Sequence, residues 1–400
     1  MNRYKKYKPS GIDWIGEIPS HWVVKKFKYL YKSNMGGTLL KEDLIDGGNI
    51  PVYSATESDI LFGYVNKANT ILKSGDLVIP ARGNSIGHVK MVTEISTCTQ
   101  TTIYSKRICK NFDNRFLLHY LKGLREILFQ FDQTAIPQIT VTQIKENPVI
   151  LPTTEEQAAI SSFLDDKTAQ IDKLISNKQK LIELLKEERS AIINEAVRGE
   201  GKNWERKKLK YVAFIKYGLG QPPKQKDDGL PLIRATNVER GKINEKDLIY
   251  VDPDDVPYDR DPVLKENDII VVRSGAYTAD SAIIPEKFEG AITGYDMVVR
   301  VINDNPFYIA YCLLSDDVLI NQLYLHRLRA AQPHLNKEEL GETLINMPLL
   351  TEQNFIVQYI QTQTQRIDDT VSIIRKEIEL MNEYRTALIS EVITGKVKII

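Results

Sequence analysis

The chain has 400 residues, with 53 basic side chains against 53 acidic ones, and three cysteines, Cys98, Cys109 and Cys312, none in a Cys-x-x-Cys spacing. That length has room for two or three domains with ordinary cores, and an odd number of unclustered cysteines argues against a disulfide framework or a metal knuckle and suits a reducing cytosol. No apolar run reaches membrane-spanning length, and zero net charge excludes a uniformly basic polyanion coat.

The N-terminal stretch from Met1 to Trp22 is basic but lacks the apolar core of a signal peptide, so a soluble cytoplasmic protein is expected. Residues 1–150 hold 20 basic against 13 acidic side chains, the one region whose bulk charge suits a polyanion. Residues 151–200 hold 7 against 10, residues 201–346 hold 20 against 23, and residues 347–400 hold 6 against 7. The third region is mixed: lysines and Arg206 crowd the stretch from Lys202 to Lys216, whereas Asp252 to Asp268 is acidic. A grip on DNA by this chain alone should be modest, with helpers expected. Within 1–150, the β-branched run Asp76 to Ile79 predicts a strand between turns, and Arg115 to Phe129 a helical patch.

After Pro152 the pattern changes to a long helix. Ile171, Leu174, Lys178, Leu181, Leu185, Glu188, Ile192 and Glu195 alternate spacings of three and four, with Ile175, Ile182 and Ala196 widening the stripe. No Pro or Gly interrupts it before Gly199, which falls in the C-cap region. Such a seam seeks a second helix, and roughly 40 residues at ~1.5 Å each make a rod of about 60 Å.

Residues 203–346 repeat the first globular stretch weakly. His21-Trp22 and Lys25-Lys26-Phe27-Lys28-Tyr29 match Asn203-Trp204 and Lys207-Lys208-Leu209-Lys210-Tyr211, and Ser54-Ala55-Thr56 matches Arg234-Ala235-Thr236. Asp268 to Val272 and Asp296 to Ile302 read as strands and Pro306 to Leu314 as a helix. The second rod then copies the first. Residues 152–199 lie on 348–395 without a gap, with 18 of 48 positions identical, where chance gives about one in sixteen. Ile367, Val371, Ile374, Ile378, Met381, Leu388 and Val392 continue the seam in phase, and Gly395 closes it. The expected buried seam is Ile171, Leu174, Leu181, Leu185, Ile192, Ile367, Val371, Ile374, Ile378, Met381 and Leu388.

The order domain, helix, domain, helix, with Pro-x-x-x-Glu-Gln before each helix and Glu-x-x-x-Gly after it, resembles the specificity subunits of type I restriction–modification systems. Ser10-Gly11-Ile12-Asp13-Trp14-Ile15-Gly16-Glu17-Ile18-Pro19 and Glu391-Val392-Ile393-Thr394-Gly395-Lys396 carry the same resemblance, which spans essentially the whole chain. It implies an α/β fold with two similar globular target-recognition domains separated by two long antiparallel coiled-coil helices, a pseudo-two-fold internal repeat. The expected divisions are 1–150, a first recognition domain with its N-terminal segment; 151–200, a helical spacer; 201–346, a second recognition domain; and 347–400, a second helix and tail. Tandem copies related by a two-fold across the rods must run their helices in opposite directions. The family implies that each domain reads half of a bipartite double-stranded DNA site while the helices fix the spacer. Its partners are methyltransferase subunits that modify adenine N6, two copies being expected, and motor-nuclease subunits in the full complex.

No catalytic centre, cofactor or metal site emerges. Asn305-Pro306-Phe307-Tyr308 approaches an amino-methyltransferase turn, but its repeat counterpart, Asn114-Arg115-Phe116-Leu117, lacks the proline, and an Asn N-cap followed by Pro explains the sequence better. Gly83-Asn84-Ser85-Ile86-Gly87 lacks the Lys-Ser/Thr of a phosphate loop and reads as a turn. The histidines, His21, His88, His119, His326 and His334, form no ligand motif.

Base edges call for Arg, Lys, Asn and Gln on loops. Candidates are Arg82, Asn84 and His88 after a strand in the first domain, and Arg273, Ser274 and Tyr277 at the equivalent place in the second. Arg234 with Asn237, and Arg327 with Arg329 and Gln332, complete the set. The rival reading is a non-catalytic coiled-coil scaffold carrying two protein-binding adaptor domains.

Overall fold

The computed structural model describes residues 3–57, 60–131, 137–327 and 333–399, the Arg327 side chain aside. It falls into two compact units, Met1–Lys178 with Lys376–Ile400, and Gln179–Arg375. The division cuts both long helices, Thr154–Arg198 and Leu350–Ile393, so each unit holds one stretch of each helix.

In the first unit a four-stranded antiparallel sheet runs in the order Tyr31–Met35, Thr102–Arg107, Leu77–Pro80, Lys90–Met91. A three-stranded sheet places Ile50–Tyr53 between Gly63–Val65, antiparallel, and Thr97–Cys98, parallel. Strand Leu77–Pro80 is buried along its whole length, which its apolar run requires. The helical patch is two helices, Asn114–Gly123 and Arg125–Leu128. Phe116, Leu117, Tyr120 and Leu121 bury one face of the first against Phe27, Tyr31 and Ile150. Each such side chain stabilises the fold by ~1.5–3 kcal/mol when fully buried.

The second unit repeats the plan. Its antiparallel sheet runs Ala213–Tyr217, Met297–Val301, Ile269–Val271, Ser281–Ile283. Its three-stranded sheet places Gln225–Ile233 between Ile249–Val251, antiparallel, and Ile292–Thr293, parallel. Helix Pro306–Leu314 packs Tyr308, Ile309 and Leu313 into the core. Its N-cap is Asn305, whose Oδ1 accepts from the backbone of Phe307 and Tyr308. The matching cap in the first unit is Asp113, not Asn114, because Asp113 accepts from Arg115 and Phe116.

Inside each unit the two helical stretches run antiparallel. In the first, Asp172 pairs with Arg385 and Lys178 with Glu377, so partner numbers fall as helix numbers rise. Ile171 shares a core there with Leu388 and Val392, with Met381 partly buried against it. In the second, Arg189 pairs with Asp368, and Ile193 and Val197 share a core with Val357 and Ile360.

The seam departs from expectation at three places on the first helix. Leu174 and Leu181 are exposed, at 49% and 43%, and Ile193 rather than Ile192 is the more deeply buried neighbour. The buried or half-buried positions are Ile171, Ile175, Lys178, Ile182, Leu185 and Arg189, a step of four and then three. Both Leu174 and Ile175 are apolar, as are Leu181 and Ile182, so this helix alone does not fix which follows Ile171 across the interface. Its copy does: the equivalents of Leu174 and Leu181 are Thr370 and Glu377, whereas those of Ile175 and Ile182 are Val371 and Ile378. On the second helix Ile367, Ile374 and Leu388 are buried and Val371, Ile378 and Met381 half-buried.

Candidate functional site

Each unit is locked by the motif that brackets the rods. In the first, Trp22 Nε1 donates to Glu156 Oε2 at 3.2 Å, and His21 Nε2 lies 3.0 Å from the same carboxylate. Burial would raise the Glu156 carboxyl; the bonds from His21, Thr153 and Trp22 outweigh it and hold it below its ordinary value. Gln157 takes the Asp113 backbone N–H at 2.8 Å and donates to the Pro152 carbonyl at 2.8 Å. In the second unit Trp204 donates to Glu352 at 3.0 Å, and Gln353 takes the Asn305 N–H at 2.9 Å and donates to the Pro348 carbonyl at 3.1 Å. The closing glycines complete the lock with φ of +66° at Gly199 and +76° at Gly395. A Cβ at Gly199 would lie 2.3 Å from the Trp204 ring, and one at Gly395 would lie 2.4 Å from Pro19 and 2.9 Å from the Trp22 ring. The repeated Pro-x-x-x-Glu-Gln and Glu-x-x-x-Gly are thus structural clamps.

The paired lysines at the start of each globular part are already spent. Lys26 and Lys28 pair with Glu146 at 2.5 and 2.7 Å, and Lys208 and Lys210 both pair with Glu342. The lysine bonds pull both carboxyls down to about 2.

The loops after the central strands are the remaining candidates. In the first unit Arg82 and Asn84 are exposed, while His88 is half-buried; burial, then the Arg125 charge, pushes His88 below its ordinary value. Arg125 pins this loop through the carbonyls of Ile86 and Asn84, at 2.7 and 3.4 Å, which makes Gly83–Gly87 a braced turn. Arg82 pairs by backbone with Gln138, and Ser274 with His334. The backbone therefore equates Arg82 with Ser274, and Ala81 with Arg273, whose carbonyls accept from Ile139 and Leu335.

In the second unit the Arg273 guanidinium lies over two rings, 4.5 Å from the Tyr217 centroid and 4.2 Å from that of Tyr295. Its Nη2 is 3.3 Å from His334 Nε2. Since arginine only donates, His334 Nε2 accepts. The Arg273 amide donates at 3.2 Å to Asp296, a buried carboxylate pushed up to about 6 by desolvation. Tyr277 is half-exposed nearby in sequence.

Asn237 is corrected as a DNA candidate. It is fully buried, accepting from the Arg234 amide and donating to the carbonyls of Asn244 and Lys246, so no groove edge can reach it. Arg234 is tied by Nη2 to the Asp247 carbonyl at 2.8 Å. Arg327 ends a short helix, Tyr324–Arg327, while Arg329 and Gln332 lie outside the described residues. Sequence reasoning missed Tyr217, Tyr295 and His334: strand register brings the end of Ala213–Tyr217 and the turn before Met297–Val301 beside Arg273, and the Ser274–His334 bridge brings the histidine.

Among the described residues no three His, Cys, Asp or Glu side chains gather as a metal site, and no helix is long and apolar enough to cross a membrane.

The profile of the type I restriction modification DNA specificity domain matches this chain twice, over residues 19–184 and 201–380. The chain belongs to that family. Its relatives include the type I restriction enzyme EcoBI specificity subunit of Escherichia coli, 23% identical over 75% of this chain and 70% of that protein. The MjaVIII specificity subunit of Methanocaldococcus jannaschii is 24% identical over 96% of this chain and 94% of its own. Among solved structures, a chain of a type I R-M system studied for complex assembly and conformational transition aligns with a TM-score of 0.73 at 13% identity, covering 95% of this chain and 99% of that one. The HsdS subunit from Thermoanaerobacter tengcongensis aligns at 0.51 with 15% identity, over 95% and 98%. At such identities these likenesses carry the fold. Each family match takes in one globular part and most of one rod, the repeat seen in the sequence. The relatives' names give the adaptor-scaffold alternative no support.

Proposed function

We propose that the chain is the DNA-recognition subunit of a type I restriction–modification complex, with recognition domains at 1–150 and 201–346 that each read one half of a bipartite duplex site. The observation that carries this reading is a family match repeated over two units of one topology whose loops differ at equivalent positions. Arg273 and Tyr217 in one unit answer to Ala81 and Met35 in the other. A shared frame with unlike loops suits two unlike half-sites. The antiparallel rods set the spacer between them.

The chain does no chemistry itself. Adenine-N6 methyltransferase subunits, two per chain, dock on it, and motor-nuclease subunits join for restriction, all in the cytoplasm. Zero net charge limits this chain's attraction for phosphate, and the paired lysines at the start of each globular part are engaged by Glu146 and Glu342, so the partners provide much of the phosphate grip. Arg82, Asn84, His88, Ser274 and Tyr277 are carried forward as groove-facing loop residues, with Arg273 as the strongest.

The test is duplex binding by the full chain, alone and with its methyltransferase subunit, across a salt series. Sequence-selective, salt-weakened binding that needs the methyltransferase for full strength is the expected result. Selective capture of protein with no preference among duplexes would support a scaffold instead.

A further inference from the structure

The arginines of the second unit differ in what holds them. Arg300 forks onto Asp268 at 2.8 and 2.7 Å, Arg240 reaches Asp280 and Tyr324, and Arg234 caps the Asp247 carbonyl. Arg300 and Arg240 are consumed by the fold, and Arg234, whose Nε is also unpartnered, is anchored to it through Nη2. Arg273 has no ion pair among the described residues; its guanidinium lies on Tyr217 and Tyr295, touches His334 Nε2, and keeps a buried Nε without a hydrogen-bond partner.

Two further features fix its position. The buried Asp296 carboxylate holds its backbone, and the Ser274–His334 bridge fixes the chain beside it. A guanidinium held over two aromatic rings gives up rotational freedom before any ligand arrives, so less is lost on binding. Both rings are more than a third exposed, so the platform opens to solvent. The equivalent positions of the first unit hold other side chains: Met35, Ala81 and Gln138 stand where Tyr217, Arg273 and His334 stand. A frame element would recur in both copies, as the Trp–Glu–Gly clamps do; a side chain that reads one half-site would not.

We propose that Arg273 is a guanine-reading residue of the second recognition domain, donating paired hydrogen bonds to O6 and N7 in the major groove while Tyr217 and Tyr295 hold its plane. This rests on the DNA-recognition reading above. Arginine to guanine is the commonest specific pairing in that groove because the two donors match the two acceptors in spacing and plane. Lysine, a point charge without a plane, is not a conservative substitute at a stacked, bidentate site.

The experiment selects bound duplexes from a randomised library with the full chain and its methyltransferase, using wild type, Arg273→Lys, Arg273→Ala and the double variant Tyr217→Leu/Tyr295→Leu. Wild type should demand guanine at one position of one half-site. Arg273→Lys, which keeps charge, and Arg273→Ala should each lose that preference by about 10-fold or more with other positions unchanged. The tyrosine variant, which keeps the arginine, should lose part of it, and matched thermal melts establish that Arg273→Lys is folded. Unaltered base preferences in Arg273→Lys and Arg273→Ala would overturn the assignment. So would uniform weakening on all duplexes with guanine still preferred, the mark of a phosphate contact. A wild-type complex with no sequence preference at all would overturn the recognition reading itself, and this inference with it.

Discussion

Arg385 Nε lies 3.2 Å from Asp172 Oδ1 in the first unit, and the same two residues of the other repeat, Arg189 and Asp368, meet at 3.4 Å in the second. Each pair joins the two helices, and all four residues are conserved between the copies. Exposed pairs of this kind contribute ~0.2–1 kcal/mol, and the Arg189 pair, the less exposed, should sit at the upper end. Reversing one member of the first pair, Asp172→Arg, should lower the urea midpoint, and adding Arg385→Asp should recover most of the loss. A double variant no better than the single one would remove the pair from the interface.

The phase of the seam has an equally direct check. Ile171→Gln should destabilise the first unit by ~2–4 kcal/mol, because it puts an amide into the cluster of Leu388 and Val392. Leu174→Gln, on the exposed face, should change stability by under about 0.5 kcal/mol. Equal losses in the two variants, read by chemical denaturation, would contradict the step of four after Ile171.

Gly395→Ala carries two penalties, a left-handed backbone and a methyl within 2.4 Å of Pro19. Together they should cost about 2–3 kcal/mol. Gly199→Ala should do the same to the second unit, through Trp204. Thermal melts reading Trp22 or Trp204 fluorescence in single-tryptophan variants would assign each loss to its unit.

Asp296 gives a pH signature. Its folded value, near 6, lies above its ordinary 3.8, so the unfolded chain ionises first and stability falls as pH rises from about 4 to 6, then levels. Asp296→Asn removes that slope while its amide oxygen can still accept from the Arg273 N–H. Relative to wild type, the variant should gain up to roughly 2–3 kcal/mol between pH 4 and pH 7. An identical variant-minus-wild-type difference at both pH values would show that Asp296 does not titrate in this window.

The duplication, the long helices and the strands at Leu77–Pro80, Ile269–Val271 and Met297–Val301 were legible because each rests on local periodicity or self-similarity. What stayed hidden is what two distant segments decide together. Leu174 and Ile175 are equally apolar, and only the opposing helix chooses between them. Asn237 looks like any exposed loop asparagine until three backbone groups close around it. The Glu-Gln pair was visible as a repeat, yet its partners, Trp22 and Asp113 in one unit and Trp204 and Asn305 in the other, lie more than forty residues away in sequence. Arg273 was visible as a candidate; the tyrosines that single it out come from the end of one distant strand and the turn before another.

The most direct measurement is a map of methylated adenines in a genome whose host carries this chain with its methyltransferase, set against a host lacking the chain. A bipartite motif with two unlike halves, one unvarying spacer and a modified adenine in each half is the outcome the two-unit reading predicts. Methylation that does not depend on the chain, or that falls on one uninterrupted motif, would contradict it.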